Sequence, residues 1–305
     1  MKRKFWKSKK VAVTGANGFL GKHFVGELKR LGAIVKPLRQ TKCNLLSLKQ
    51  TTKALKDIDI VINCAALDGN AEFKLQNAAR IMDSNIKIVS NILNASKKNK
   101  IKDIVLISSV EIYSPLAPSP IKEEDDFQKY DGYTTNGYVL SKRFSEILSE
   151  LYAKEFNLRI YLPRPTNIYG PGDHFGKTAG RVIPNFIKKL SAGEKVEIWG
   201  DGSQIRQFVY VSDVVKTVLK MVETKYIGKL NIATNGAISI LNLAKTIRQK
   251  LNSQSDITLC LPKNTGVHNR ILDTSKMDRL TDFTPVDLAT GIQKTIDWYL
   301  KNTKN

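Results

Sequence analysis

Apolar runs of four or five residues recur through the first half of the chain, and between them the apolar positions switch to a spacing of three and four. The runs "VAVTG" (11–15), "AIVKPLR" (33–39), "DIVINCA" (59–65), "DIVLISS" (103–109) and "RIYLPRP" (159–165) read as strands. The segments around 18–31, 46–56, 77–99 and 138–157 read as amphipathic helices. In the first of these, Phe19, Leu20, Phe24, Val25, Leu28 and Leu31 share one face. Buried strands alternating with helices predict an α/β protein built on a doubly wound parallel sheet, with both faces covered. After residue 170 the pattern breaks, with Gly or Pro at 170, 171, 172, 176, 180 and 184 and a later "WGDGS". Such loops build a smaller C-terminal substrate lobe beside the sheet. The expected division is a Rossmann domain over 1–170, rejoined by part of 205–250 through "KLNIAT" and the helix near 239–251, with 171–305 mainly forming the other lobe. The two lobes are therefore expected to interleave.

The first strand runs into a tight turn whose glycines, Gly15, Gly18 and Gly21, fall just before the first helix. One glycine permits the turn, one lets backbone approach a pyrophosphate, and one lets helix pack on strand. The helix N-terminus then offers unpaired N–H groups to phosphate oxygens. The alternating sheet supplies the context this triplet needs, and a dinucleotide is the predicted ligand. At the end of the second strand an NAD site places Asp or Glu against the ribose hydroxyls. This chain has Lys36, Arg39 and Lys42 there, positive charge suited to a 2′-phosphate, so NADP is favoured over NAD.

Composition narrows the class. The chain has 305 residues, 42% of them hydrophobic, enough to bury a full core. No apolar run is long enough to span a bilayer. The N-terminal "MKRKFWKSKK" followed by "VAVTGANGFLG" superficially resembles a secretion signal, but its apolar part is too short and reads as the first strand. A cytoplasmic protein is expected. Cys43, Cys64 and Cys260 are widely spaced, as are His23, His174 and His268, so neither a disulfide framework nor a metal site is indicated. The formal charge of +21 is spread along the chain and interleaved with acidic residues. No aromatic-basic stripe accompanies it, so no nucleic acid partner is expected, whereas a small phosphorylated substrate would be drawn to such a surface.

The candidate chemistry lies in "GYVLSKRFSEILSELYAKEF" (137–156). Its apolar stripe is Leu140, Phe144, Ile147, Leu148 and Leu151, and Tyr138 and Lys142 share a face nearly opposite. An ammonium beside a phenol favours the phenolate, so the Tyr138 pKa is expected to fall toward neutrality, making it a usable acid or base. Upstream, "DIVLISS" ends in Ser108 and Ser109 at the sheet edge where doubly wound folds bind ligands. A hydroxyl there reaches the same substrate oxygen as Tyr138.

Glycine turn, strand-end serine and YxxxK in this order resemble the short-chain dehydrogenase/reductases, and more narrowly their extended branch of nucleotide-sugar epimerases and dehydratases. The resemblance covers essentially the whole chain through "TGANGFLG", "NCAA", "SSVEIY", "YVLSK", "RPTNIYGPGD", "WGDGSQIRQFVYVSDVV" and "NRILDTSK". It implies a catalytic set of Ser109, Tyr138 and Lys142, with Lys142 also holding the nicotinamide ribose. Gly15, Asn17, Gly18, Phe19, Leu20 and Gly21 would cradle the pyrophosphate. Asn44, where the family more often has Asp, and Leu45 would flank the adenine, and Ala65, Ala66 and Asn85 would line the coenzyme. Asn167, Arg206 and Arg270 would hold the diphosphate of a nucleotide sugar.

The reaction so implied is hydride transfer at sugar C4, with a 4-epimerase as the first reading. A 4-keto-6-deoxy-sugar reductase and a 4,6-dehydratase are the alternatives within the branch. Glu111, two residues past Ser109, acts near C5 in the dehydratases, but Val110 before it can donate no proton. The chain also resembles the GDP-fucose synthase and UDP-glucose 4-epimerase groups. The former uses Cys and His where Glu111 and Arg181 stand, and neither replacement does that job in the same way. A non-catalytic NAD(P)- or RNA-binding protein on the same fold is the reading from another class, and such relatives usually lose the Tyr or Lys kept here. A steroid or flavonoid reductase is disfavoured by Arg206 and Arg270. The apolar faces of 77–99 and 138–157 either meet a second copy in a homodimer, as in the family, or pack on the sheet.

Overall fold

Each of the five apolar runs forms a parallel strand of one sheet in the computed structural model, which describes residues 3–130, 134–176, 180–260 and 269–303. His268 lies outside the described residues. The first half runs α1 (Arg3–Trp6), β1 (Lys10–Thr14), α2 (Phe19–Arg30), β2 (Ile34–Leu38), α3 (Leu48–Ala54), β3 (Ile60–Asn63), α4 (Ala71–Gln76), α5 (Ala78–Lys98), β4 (Asp103–Leu106), α6 (Gly137–Phe156) and β5 (Arg159–Pro165). There follow β6 (Asn167–Tyr169), α7 (Val182–Ser191), β7 (Val196–Trp199), β8 (Ile205–Arg206), β9 (Phe208–Tyr210), α8 (Val211–Thr224) and β10 (Gly228–Ile232). The chain closes with β11 (Ile238–Ser239), α9 (Ile240–Lys250), β12 (Ile257–Cys260), β13 (Asn269–Arg270), α10 (Ser275–Leu280) and α11 (Leu288–Asn302).

Among the described residues the main sheet has the order β10-β5-β4-β3-β1-β2. Its inner strands are buried on both faces, the edge strand β2 is largely exposed, and alternation divides the side chains between two helical layers. Val11 and Val13 of β1 and Ile60 and Ile62 of β3 join Phe24 and Leu28 of α2 and Val214 and Val218 of α8 on one face. Ala12 and Val61 meet Leu55 and the α5 residues Val89, Ile92 and Leu93 on the other. Trp6 of the basic N-terminal segment is fully buried in the first layer, and its indole N–H donates to Glu223 at 2.6 Å. This is the doubly wound Rossmann architecture. The strand order reverses at β1, so a crevice opens between the loops after β1 and β3, where such folds bind their ligands.

The second lobe has a core of its own. Ile183, Phe186 and Ile187 of α7, Leu243 and Ile247 of α9, Ile292 and Ile296 of α11, and Val196 and Ile198 of β7 pack together. Strand β10 comes back from this half of the chain to pair with β5, Gly228 opposite Tyr161. Helix α9 does not follow it to the sheet, as its sequence position suggested, because its apolar face is taken by α7.

The face of α6 differs from the pattern read in the sequence. Phe144, Ile147 and Leu151 are exposed by 48%, 36% and 58%. The buried side is instead polar: Ser141, Ser145 and Ser149, with Arg143 and Glu146 turned to the Ile112 carbonyl and Arg164. Helix α5 packs along this side, where short side chains allow close approach, and Ser145 and Ser149 return their hydroxyls to carbonyls four residues back, at 2.6 and 2.5 Å.

Candidate active site

The turn after β1 forms one wall of the crevice. Gly15 has φ +62°, and a Cβ there would meet the backbone of Cys64 and Ala65 at 2.9 Å. A Cβ on Gly21 would collide with the Gly15 carbonyl oxygen, so the first turn of α2 lies directly against the loop. Gly18 caps α2 with no side-chain hydrogen bond to its first N–H groups, which leaves them for an anion. Gly15, Gly18, Phe19, Leu20 and Gly21 line a cleft of about 740 Å³, and Asn17 is exposed on the same turn. A bare backbone facing a cleft of this size fits the pyrophosphate of a dinucleotide. On the neighbouring loop Ala65 N–H donates to Thr14 and Asn63 at 3.3 and 3.2 Å, and Ala66 lines the cleft. The Asn85 amide is spent on the backbone of Leu67, at 2.7 and 3.0 Å, and on Ser141, so it meets the site through the loop it holds. Arg39, Asn44 and Leu45 follow β2 outside the cleft lining, with Arg39 and Asn44 exposed.

The opposite wall carries the reactive groups. Tyr138 and Lys142, one turn apart on α6, line the cleft with Ser109 and Glu111 from the segment after β4. The Asn136 side chain caps α6 by accepting from Tyr138 and Val139 N–H at 3.0 and 3.3 Å, which fixes the turn that presents the phenol. Ser109 and Ser108 are separated by their partners. The Ser108 hydroxyl donates to buried Glu146, whereas Ser109 stays in the cleft and hydrogen-bonds Tyr138. Lys142 donates to the Ile107 carbonyl at 2.6 Å, with its ammonium 5.5 Å from the Tyr138 ring centre. Burial pulls the Lys142 ammonium below its usual range against the pull of Asp68.

The Tyr138 phenol departs from the sequence expectation. Burial first, then the charges of Asp68 and Glu111, push it well above its ordinary value, and the bond to Ser109 and the Arg181 charge do not offset them. The phenol is held protonated, not tuned toward phenolate. Sequence reasoning singled out Glu111 and Arg181 but missed Asp68 and Lys74. Lys74 of α4 lies 4.2 Å from the Tyr138 ring centre and pairs with Asp68 at 3.2 Å and Glu111 at 3.3 Å. Arg181 pairs with Asp173 at 2.9 Å and lies over Phe19.

On the second lobe β13 runs parallel to β8 with Arg270 in register with Arg206. Burial, and for Arg206 the neighbouring Arg270 charge, lower the pKa of both. Two guanidinium groups held together in a partly dehydrated place form a strongly positive patch, with Arg206 lining the cleft. Asn167 lines the cleft beside Arg206, and its amide donates to the Gln207 carbonyl at 2.9 Å.

The sequence model of the NAD dependent epimerase/dehydratase family matches residues 11–233. The chain belongs to the NAD-dependent epimerase/dehydratase family. Within it, the chain is 40% identical over 316 residues to a dTDP-4-dehydro-6-deoxy-D-allose reductase of a Streptomyces species, covering 96% of this chain and 97% of that one. Two solved structures show the same fold. The UDP-glucose 4-epimerase of Thermotoga maritima, solved with UDP-glucose, superposes with a TM-score of 0.84 at 24% identity, over 96% of this chain and 99% of that chain. A GDP-L-fucose synthetase of Naegleria fowleri bound to NADP gives 0.86 at 22% identity, over 98% and 95%. For this epimerase/dehydratase family member the long, full-length likeness to a reductase weighs toward the reductase alternative and away from the 4-epimerase placed first on sequence grounds. Among the described residues, no helix is long and apolar enough to cross a membrane.

Proposed function

We propose that the protein is an NADP-dependent reductase of a dTDP-linked 4-keto-6-deoxy sugar. The observation that carries this reading is the 40% identity, across nearly the whole of both chains, to the dTDP-4-dehydro-6-deoxy-D-allose reductase. The site chemistry agrees with it. Reduction of a ketone needs an acid at its oxygen, and Tyr138 carries a proton that burial and two carboxylates hold in place.

The glycine turn, Ala65, Ala66 and the Asn85-held loop would hold the coenzyme, with Asn44 and Leu45 at the adenine and Arg39 on the 2′-phosphate. When bound, the nicotinamide supplies the hydride. Tyr138 donates its proton to the sugar C4 oxygen as the carbonyl is reduced, and Ser109 hydrogen-bonds the same oxygen. Lys142, anchored on the Ile107 carbonyl, holds the nicotinamide ribose and keeps a positive charge beside the phenol as it loses its proton. Arg206, Arg270 and Asn167 grip the diphosphate and so fix the sugar in the cleft between a coenzyme lobe and a substrate lobe. The exposed stripe Phe144, Ile147 and Leu151 on α6 is where a second copy would pack in a homodimer.

The test is a panel of dTDP-, GDP- and UDP-linked 4-keto-6-deoxyhexoses with NADPH or NADH, and of the corresponding 4-hydroxy sugars with NADP or NAD, followed by change in reduced coenzyme and by NMR of the sugar ring. Stoichiometric NADPH oxidation with the dTDP ketone is expected. Interconversion of C4 hydroxyl epimers with no net coenzyme consumption would establish a 4-epimerase instead.

A further inference from the structure

Glu111 occupies a position of chemical consequence. It shares the cleft with Tyr138 and Ser109, and beside a 4-keto sugar a carboxylate is a base for the C–H bonds that the ketone acidifies, those at C3 and C5. Abstraction there would scramble the sugar's configuration before reduction.

The carboxylate is not presented bare. Lys74 Nζ lies 3.3 and 3.4 Å from its two oxygens, so one ammonium engages both. The same ammonium is braced by Asp68 at 3.2 Å and sits over the Tyr138 ring at 4.2 Å. The Lys74 side chain is 15% exposed and that of Glu111 35%, so the pair sits at the mouth of the cleft, partly sheltered from solvent.

We infer that Lys74 is a specificity-determining positioning residue: by pairing with Glu111 it disarms a general base and confines the site to reduction at C4. This rests on the reductase reading above. The suppressed reaction is an exchange in which the C3 or C5 C–H bond breaks and its electron pair moves into a C=C bond while the C4 carbonyl oxygen becomes an enolate held by Tyr138 and Ser109. The proton goes to the Glu111 carboxylate, is replaced from solvent and returns to the same carbon, with no net redox change.

The experiment incubates the protein with NADP and dTDP-4-keto-6-deoxy-D-glucose in D2O and follows H3 and H5 by proton NMR. The oxidised coenzyme prevents reduction, so the readout is independent of reductase turnover. Wild-type protein is expected to leave both signals near the uncatalysed rate. Lys74→Met, and the milder Lys74→Gln, should exchange at least one of them about 10-fold faster, and Lys74→Met/Glu111→Gln should return to the wild-type rate. Saturation-transfer NMR confirms that each variant still binds the sugar nucleotide. Helix α4 contributes no buried residue, so these substitutions leave the core intact. Rapid exchange by the wild type, no gain in either single variant that binds, or a gain that survives loss of Glu111 would each overturn the inference. Failure of the wild type to reduce the ketone with NADPH would strike the reductase reading itself, and is seen separately.

Discussion

Replacing Arg164 with methionine should cost the protein several kcal/mol, for reasons visible in its surroundings. The guanidinium is fully buried and gives five hydrogen bonds: to Glu146 at 3.0 and 2.5 Å, Asp126 at 3.1 Å, the Tyr113 hydroxyl at 2.9 Å and the Glu123 carbonyl at 2.9 Å. Without it Asp126 still has Lys229 at 2.8 Å, but Glu146, 1% exposed, keeps of these polar contacts the Ser108 hydroxyl. Orphaning one member of a buried ion pair costs about 3–5 kcal/mol. A 305-residue chain has an unfolding entropy of roughly 0.6 kcal/mol/K, so the thermal midpoint should fall by about 5–8 °C. The assay is thermal unfolding by circular dichroism, with Arg164→Met/Glu146→Leu beside the single variant. Removing the stranded carboxylate should recover at least about half of the loss, since an apolar replacement of a buried pair is often neutral. A single-variant shift under about 2 °C, or a double variant less stable than the single, would refute the reasoning that desolvation of Glu146 dominates.

Four further expectations concern the site. Tyr138→Phe should lower ketone reduction by about 100-fold or more while coenzyme binding, read by fluorescence, holds; unchanged turnover removes Tyr138 from the chemistry. Because the phenol is raised above its ordinary value of 10, its proton persists through that pH, and reductive kcat should show no loss of this acid between about pH 6 and 9. An alkaline limb centred below that upper bound would mean that the phenolate forms early. Arg206→Met should raise KM for the nucleotide sugar by about 10-fold or more with little change in coenzyme affinity, and equal effects on both ligands would dissolve the diphosphate assignment. Arg39→Ala should weaken NADP more than NAD, measured by titration, and parallel losses would discard the 2′-phosphate contact.

The sheet was legible because its signal is local. A run such as "DIVINCA" is apolar on both faces wherever it sits, and the Gly15–Gly21 turn announces itself within seven residues, although the β3 loop also crowds Gly15. The α6 face was not legible, because its stripe of Phe144, Ile147 and Leu151 reads as core while the real contact is a row of serines chosen for size. Only the presence of α5, brought from some fifty residues upstream, decides between them. The YxxxK pair was found by spacing, yet the protonation of Tyr138 was misjudged. That depends first on burial under the assembled cleft and then on Asp68 and Glu111, carried in by two other segments, and no helical period records them. The Lys74–Glu111 pair joins residues 37 apart in sequence and left no pattern to find.

The placement of Arg270 on β13 ties the proposed phosphate grip to the last part of the chain. Every strand of the main sheet is complete by Ile232, yet the second guanidinium of the proposed phosphate grip arrives only at 270. The same late stretch also supplies Met277 and Leu280 of α10, which pack into the first layer of the main sheet, and Leu272, which packs on Val110 and Ile112 beside the cleft, so the tail that brings the second guanidinium also closes the core beneath the crevice.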